Sequence, residues 1–187
     1  MKSRSGAARE IPGMTSHWVA DEPGAHGLSQ AVARAGECVA IVTAQGADGS
    51  LVGACCAALP LLAEAGPPAL AWALAPDTPG LPVFAHATHI ALNFLTAGDA
   101  DTAALAQRFA GQRNDKFSAL AFEFGLGGAP LLERAVLTFE CENRPLGMAD
   151  VQGRLQFTAL VRRYRQACLP AAATVAGSRQ ILSTSAG

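Results

Sequence analysis

The side chains best equipped for chemistry lie in RFAGQRNDKF (108–117), where Arg108, Arg113 and Lys116 alternate with Phe109 and Phe117. A cation set among aromatic rings can clamp an anion, and Lys116 or Arg113 would neutralise a ligand phosphate. The same spacing also describes a solvated turn that Phe109 and Phe117 anchor to a core. On spacing alone the turn is the better account. Other chemistry is sparse. His86 and His89 are three apart, but a helix-to-strand boundary falls between them, which spoils a metal pair. Cys38, Cys55, Cys56, Cys141 and Cys168 show no CxxC or Cys/His spacing suited to zinc. Their odd number and apolar surroundings read as reduced, buried small side chains. FGLGGAP (124–130) misses G-x-G-x-x-G and lacks a strand-then-helix setting, so it is a turn. There is no Walker lysine and no G-x-S-x-G elbow, and Ser29, Ser50 and Ser118 lack a triad setting.

The elements that must position these residues are mostly strands. VAIVTA (39–44) is short and β-branched, and QGADGS turns it into a second arm from Ser50 to Leu59. ALAWAL (69–74) follows Pro67-Pro68 as a third strand. APDTPGLP (75–82) is a loop, PVFAHA a short helix with Pro82 in its first turn, and HIALNFL (89–95) a strand buried on both faces. Asn93 within that strand needs hydrogen-bond partners, from backbone, water or ligand. DADTAALAQRFAG (99–111) is the clearest helix, with Asp99 and Asp101 at its start, Leu105 and Phe109 at i, i+4, and Gly111 at its stop. LSQAVARAG (28–36) has helical composition and ends at Gly36.

Two alternating strands complete the series. RAVLTFECE (134–142) sets Ala135, Leu137, Phe139 and Cys141 against Arg134, Thr138, Glu140 and Glu142. RLQFTALVRRYRQ (154–166) turns Leu155, Phe157, Ala159 and Val161 inward, with Gln156, Thr158 and Arg162 outward. Short strands without βαβ alternation predict a closed antiparallel barrel in one domain. The expected limits are an arm over 1–27 with Trp18 as its anchor, a barrel over 28–168 and a tail over 169–187.

LVGACCAALPLLAEAGPPALAWAL (51–74) is the least polar stretch, yet Glu64 and the breaks at Pro60, Gly66, Pro67 and Pro68 leave no bilayer-length run. Its small residues Cys55, Cys56, Ala57 and Ala58 fit two accounts: a bare wall that lets a planar ligand approach the main chain, or tight packing in a small barrel. The 187 residues are 50% hydrophobic and 16% charged with a net charge of −1, which excludes global disorder and gives no general pull toward nucleic acid or anionic membrane. MKSRSGAAREIPG lacks an apolar secretory core, and a reducing cytoplasm is the expected compartment.

The order of the pieces carries more than any one of them. VAIVTA, a Gly-led strand, Pro-Pro and an apolar strand, FAHATHIALNFL, LAQRFAG…DKF, then G-G-x-P-L-L and a strand ending F-E-C follow one another between about 28 and 144. In this succession the chain resembles the flavin reductase-like family. The resemblance implies a mainly β fold: a six-stranded antiparallel Greek-key split barrel with two or three peripheral helices. It also implies a homodimer that holds FMN, with FAD the alternative, at the dimer edge. The implied activity is hydride transfer from NAD(P)H to flavin, with a flavin-dependent monooxygenase as a partner that takes the product. In such chemistry the flavin does the redox work and the protein supplies stacking, water exclusion and hydrogen bonds.

Carried over residue by residue, the resemblance gives Cys55, Cys56, Ala57, Ala58, Leu61, Asn93, Phe109, Lys116 and Phe117 as cofactor-binding positions, with the catalytic residue unknown. Lys116 would face the phosphate. The family's T-x-N-S-x-x-S strand has hydroxyls where this chain has Cys55, Ala57, Ala58 and Leu61, so backbone N–H groups would have to serve. GMADVQGRL (147–155) stands where the family shows G-D-H, and no histidine follows His89. Arg144, Arg154 or Arg162 would then meet a nicotinamide dinucleotide. A second expectation is a non-catalytic relative that binds FMN or another planar ligand and has lost nicotinamide binding. A third, of low weight, is haem held by His86 or His89.

Overall fold

The computed structural model describes residues 16–20, 38–62, 68–98, 100–113 and 115–167, with backbone alone for 16–20, 58–62 and 167. The helix expected over 28–36, the rest of the arm and the tail lie outside these residues. Within the arm, Ser16–Ala20 forms a strand, β1, with Trp18 opposite Arg165. That segment is part of the sheet, not a loose extension.

From there the order is β2 (Cys38–Gln45), β3 (Leu51–Cys55), β4 (Ala57–Leu62), β5 (Ala69–Leu74), helix α1 (Leu81–His86), β6 (His89–Thr96) and helix α2 (Ala100–Ala110). β7 (Phe122–Phe124), a 3-10 turn at Leu126–Gly128, β8 (Pro130–Leu132), β9 (Leu137–Ala149) and β10 (Leu155–Ala167) follow. The main sheet runs β3-β2-β6-β9-β10-β5-β4, every pair antiparallel, and β1 extends the β5 side of β10. Its two outer strands, β3 and β4, are halves of one segment broken only at Cys56. The sheet therefore curls back on itself around six strand positions, the antiparallel split barrel the sequence predicts. The arm expected as one run from Ser50 to Leu59 instead bends at Cys56. Its first half pairs with β2 and its second with β5.

Side-chain alternation fills the inside. Ala40, Val42, Ala44, Ala54, Leu70, Trp72, Leu92, Phe94, Phe139, Phe157 and Ala159 share one core, which α1 completes with Phe84. Trp72 stacks on Phe157 at 4.2 Å between ring centroids and meets Phe84 edge-on at 5.9 Å. Leu137, Phe139 and Cys141 of β9 point inward as their alternation requires. Ala135 precedes the strand and joins a different cluster outside the barrel, with Ile41, Leu95, Phe109 and Leu132. That outer cluster exists because α2 and the 115–136 segment cover the far face of β2 and β6. Thr138 and Glu140, expected on the face opposite Leu137 and Phe139, are thereby buried at 1% and 0% exposure, as is Asn93 at 0% in the strand expected to be buried on both faces.

Their polar groups are met inside the cover. Asn93 Nδ2 donates to Thr43 Oγ1 (3.1 Å) and the Ile41 carbonyl (3.3 Å), while its Oδ1 accepts from Leu132 N at 2.9 Å. Glu140 accepts two bonds from Arg163, 2.7 Å at Nε and 3.0 Å at Nη2, and a third from Leu126 N at 2.6 Å. FGLGGAP is the turn between β7 and β8, and Gly128, at φ +77, sits where a side chain would strike Gln45. No described helix is long and apolar enough to cross a membrane.

Candidate functional site

The residues of RFAGQRNDKF meet β3 on the outside of the barrel. Helix α2 delivers Phe109 from its last turn, and the turn that follows delivers Phe117. Their rings meet edge-on with centroids 5.3 Å apart, and Phe122 continues the row at 5.5 Å from Phe117. This aromatic row lies against Gly53, so closely that a side chain there would collide with Phe109. Glycine in β3 is thus what lets α2 approach the sheet.

Lys116 sits at the junction. It is 6% exposed, and its ammonium donates to the carbonyls of Phe109 (2.9 Å) and Gly53 (3.1 Å). Burial lowers its pKa, with the Cys55 thiol pulling the other way. Cys55 is half-buried, its Sγ 3.3 Å from the Ala106 carbonyl. Burial raises its pKa, which Lys116 partly offsets. Around them the turn is tied down. Arg108 donates to the carbonyls of Asp115 and Ser118, and Arg113 pairs with Asp115 at 3.0 Å in full view of solvent. Both members of that exposed pair hold their charges more firmly, Asp115 shifted down and Arg113 up, each chiefly through the bond to the other.

Two adjoining cavities open here. One, of about 190 Å³, is lined by Ala54, Cys55, Asp77, Thr78, Phe109 and Gln112 among others. The second, of about 70 Å³, includes Gly53, Gly80, Arg113 and Lys116 in its lining. Pro79 belongs to both, so the 75–80 loop is their common wall. Gly80, at φ +79, presses on Val52 so tightly that a Cβ would lie 2.8 Å from its Cγ1. Both are half-open hollows whose lining is at least as polar as it is apolar, and the 75–80 loop divides them. Phe109 fills the space over Gly53 and Ala54 is packed in the barrel core, so of this strand it is Cys55 that offers a side chain to the larger hollow, while Arg113 and Lys116 line the smaller one.

The structure gathers Cys55, Phe109 and Lys116 at this cleft, with Phe117 behind Phe109. It separates the others. Alternation and the bend send Cys56 toward the barrel interior, where it packs against the filled core. Burial pushes its thiol up to about 12. Ala57 pairs with Ala73 in β4, beyond the bend. Ala58 and Leu61 are placed in β4 by their backbone, and their side chains lie outside the described residues. Asn93 lies under β8 and lines neither cavity. Cys55 and Cys56 thus face opposite ways, Cys55 toward the hollow and Cys56 into the packed barrel core. Asp77, Thr78, Pro79, Gly80 and Gln112 were missed by the sequence reading. The sole hint was the Pro-Gly turn in APDTPGLP.

The residues weighed for other roles are elsewhere. His86 ends α1 and His89 begins β6, with His89 Nδ1 3.0 Å from Thr88 Oγ1. No cluster of three metal-binding side chains occurs among the described residues. Cys55, Cys56 and Cys141 are free thiols. Arg144 and Arg162 both pair with Glu142, and Arg154 with Asp150, on the β9–β10 hairpin.

A split antiparallel barrel with a cleft under an outer helix defines the class. The domain described as Flavin reductase like matches residues 32–162, and the chain belongs to that family. Solved structures share the fold at low identity. A Sinorhizobium meliloti oxidoreductase of provisional assignment superposes with a TM-score of 0.59 at 20% identity, over 74% of this chain and 48% of that one. This chain therefore spans about half that protein's length. The NADH:FAD oxidoreductase SgcE6 of Streptomyces globisporus C-1027, in complex with NAD and FAD fragments, gives 0.57 at 23% identity over 70% and 74%. A nitrilotriacetate monooxygenase component B homologue from Mycobacterium thermoresistibile gives 0.52 at 17% over 86% and 98%.

Proposed function

We propose that this protein is an NAD(P)H:flavin oxidoreductase that takes FMN, with FAD the alternative, into the cleft between β3, α2 and the 75–80 loop. The observation that carries this reading is membership of the flavin reductase-like family together with a hollow between β3, α2 and the 75–80 loop that has Arg113 and Lys116 beside it. Bound flavin supplies the redox chemistry, accepting a hydride from NAD(P)H. The protein's own residues have simpler work. Cys55 and the 75–80 loop would flank a ring in the larger hollow. Phe109 and Phe117 keep water from one side, and Arg113 offers its guanidinium to an anion.

Homodimerisation, a cytoplasmic location and a monooxygenase that consumes the reduced flavin belong to the same reading. The component B homologue supports the last. A second reading is favoured by one observation. The arginines available for a nicotinamide dinucleotide are paired with Glu142 and Asp150, and no histidine follows His89. On that reading the protein binds flavin without turning over NAD(P)H.

The test is a visible spectrum with and without added FMN, followed by NADH and NADPH oxidation with FMN present. Binding with turnover supports the oxidoreductase. Binding without turnover supports the second reading, and a protein that remains colourless and inert overturns both.

A further inference from the structure

Family resemblance assigns Lys116 to the ligand's phosphate, but its surroundings point to a different task. An ammonium has three N–H donors, and two of these are committed to main-chain carbonyls. The Phe109 carbonyl belongs to the last turn of α2, where carbonyls lose their helical partners and a cation is favoured. The Gly53 carbonyl belongs to β3, which ends the sheet order and has a strand neighbour on one side only. One side chain thus serves two carbonyls that regular structure leaves unserved. In doing so it spans the joint between strand and helix that frames the cleft. Its 6% exposure leaves little charged surface for an incoming anion, whereas Arg113 is 73% exposed and, with Nε and Nη2 bonded to Asp115, still has Nη1 to offer.

We propose that Lys116 is a positioning residue: its ammonium fastens β3 to the C-terminal end of α2 and so holds the cleft open at a fixed width, while the anion contact falls to Arg113. Flavin recognition would then be shape-based at β3, with the phosphate met by an exposed, salt-sensitive charge. The statement about flavin rests on the function proposed above; the statement about the joint does not.

The experiment separates the two. Hydrogen exchange of the ligand-free protein is compared between wild type and Lys116→Met at residues 51–55 and 107–112, and dissociation constants are measured for FMN and for riboflavin, which lacks the phosphate. A positioning role predicts faster exchange in both segments and loss of both ligands by the same factor. The neutral Lys116→Gln, which keeps two N–H donors, should recover part of both. Arg113→Ala should weaken FMN and leave riboflavin unchanged. Weaker binding of FMN alone in Lys116→Met, with exchange as in wild type, would overturn the proposal. If Lys116→Met does not fold, Lys116→Gln carries the same comparison: an unchanged FMN-to-riboflavin ratio supports the joint, and a selective loss of FMN overturns it. If the wild type binds neither ligand, the proposed function fails, and exchange alone still decides the role of Lys116.

Discussion

The ring of Phe109 occupies the space that a side chain at position 53 would need. A Cβ on Gly53 would lie 2.7 Å from Phe109 Cδ1 and 3.1 Å from Phe117 Cζ. Phe109 is 1% exposed and has no room to retreat without moving α2. Gly53→Ala should therefore destabilise the protein by about 1–3 kcal/mol, the usual cost of overpacking. It should also weaken flavin binding, because the strand and helix that frame the cleft are forced apart. Urea denaturation and FMN titration check both parts. A variant as stable as wild type would show that α2 yields freely.

Asn93 is the hinge pin of the outer cover. Replacing it by leucine keeps the volume but removes the acceptor for Leu132 N and the donor for the Ile41 carbonyl and Thr43. A buried amide left without a partner costs about 1–3 kcal/mol, so Asn93→Leu should lower unfolding free energy by that order. Since Asn93 lines neither cavity, FMN affinity of the folded fraction should hold. A large drop in affinity at unchanged stability would instead favour a ligand contact.

The Glu140–Arg163 pair joins a carboxylate with no solvent exposure to a guanidinium whose side chain is 34% exposed. Arg163→Ala should cost about 3 kcal/mol, the low end for breaking a buried pair, because the arginine reaches water and Leu126 N still serves the carboxylate. Changing both residues to methionine should recover only part of the loss: an apolar pair carries no desolvation penalty, but Leu126 N loses its acceptor. A double variant as unstable as the single one would contradict this account.

Asp150 organises the turn between β9 and β10, accepting bonds from Arg154 N, Gln152 N and Arg154 Nε. The bond from Arg154 N leads in holding its pKa below the ordinary 3.8. A carboxylate depressed in the folded state leaves the unfolded chain binding more protons, so stability rises with pH across this window. The contribution is complete above 3.8 and is lost as pH falls through the lower folded value. Asp150→Asn should flatten the acid side of the stability profile, measured by denaturation at a series of pH values. A profile identical to wild type would remove Asp150 from the turn's energetics.

Much of the barrel was legible because its strands alternate. Leu137, Phe139 and Cys141, and Leu155, Phe157, Ala159 and Val161, turned inward as their period of two requires. Helix α2 was legible from its i, i+4 pair and its glycine stop. The fate of the other face was not. Alternation says that Thr138 and Glu140 point away from the core, but it cannot say whether water or protein waits there. The 115–136 segment, with no strong period of its own, supplied that cover.

The candidate site divides in the same way. Residue order alone determined the family and the barrel and marked Cys55, Phe109 and Lys116 as candidates, because local periodicity and turn chemistry act between near neighbours in the chain. Only tertiary structure decided that Cys55 and Cys56 serve opposite sides, that Asn93 holds β8, and that Lys116 spends its donors on two carbonyls. Those outcomes depend on residues far apart in sequence, where 53, 109 and 116 meet because a missing side chain allows a helix to reach a strand.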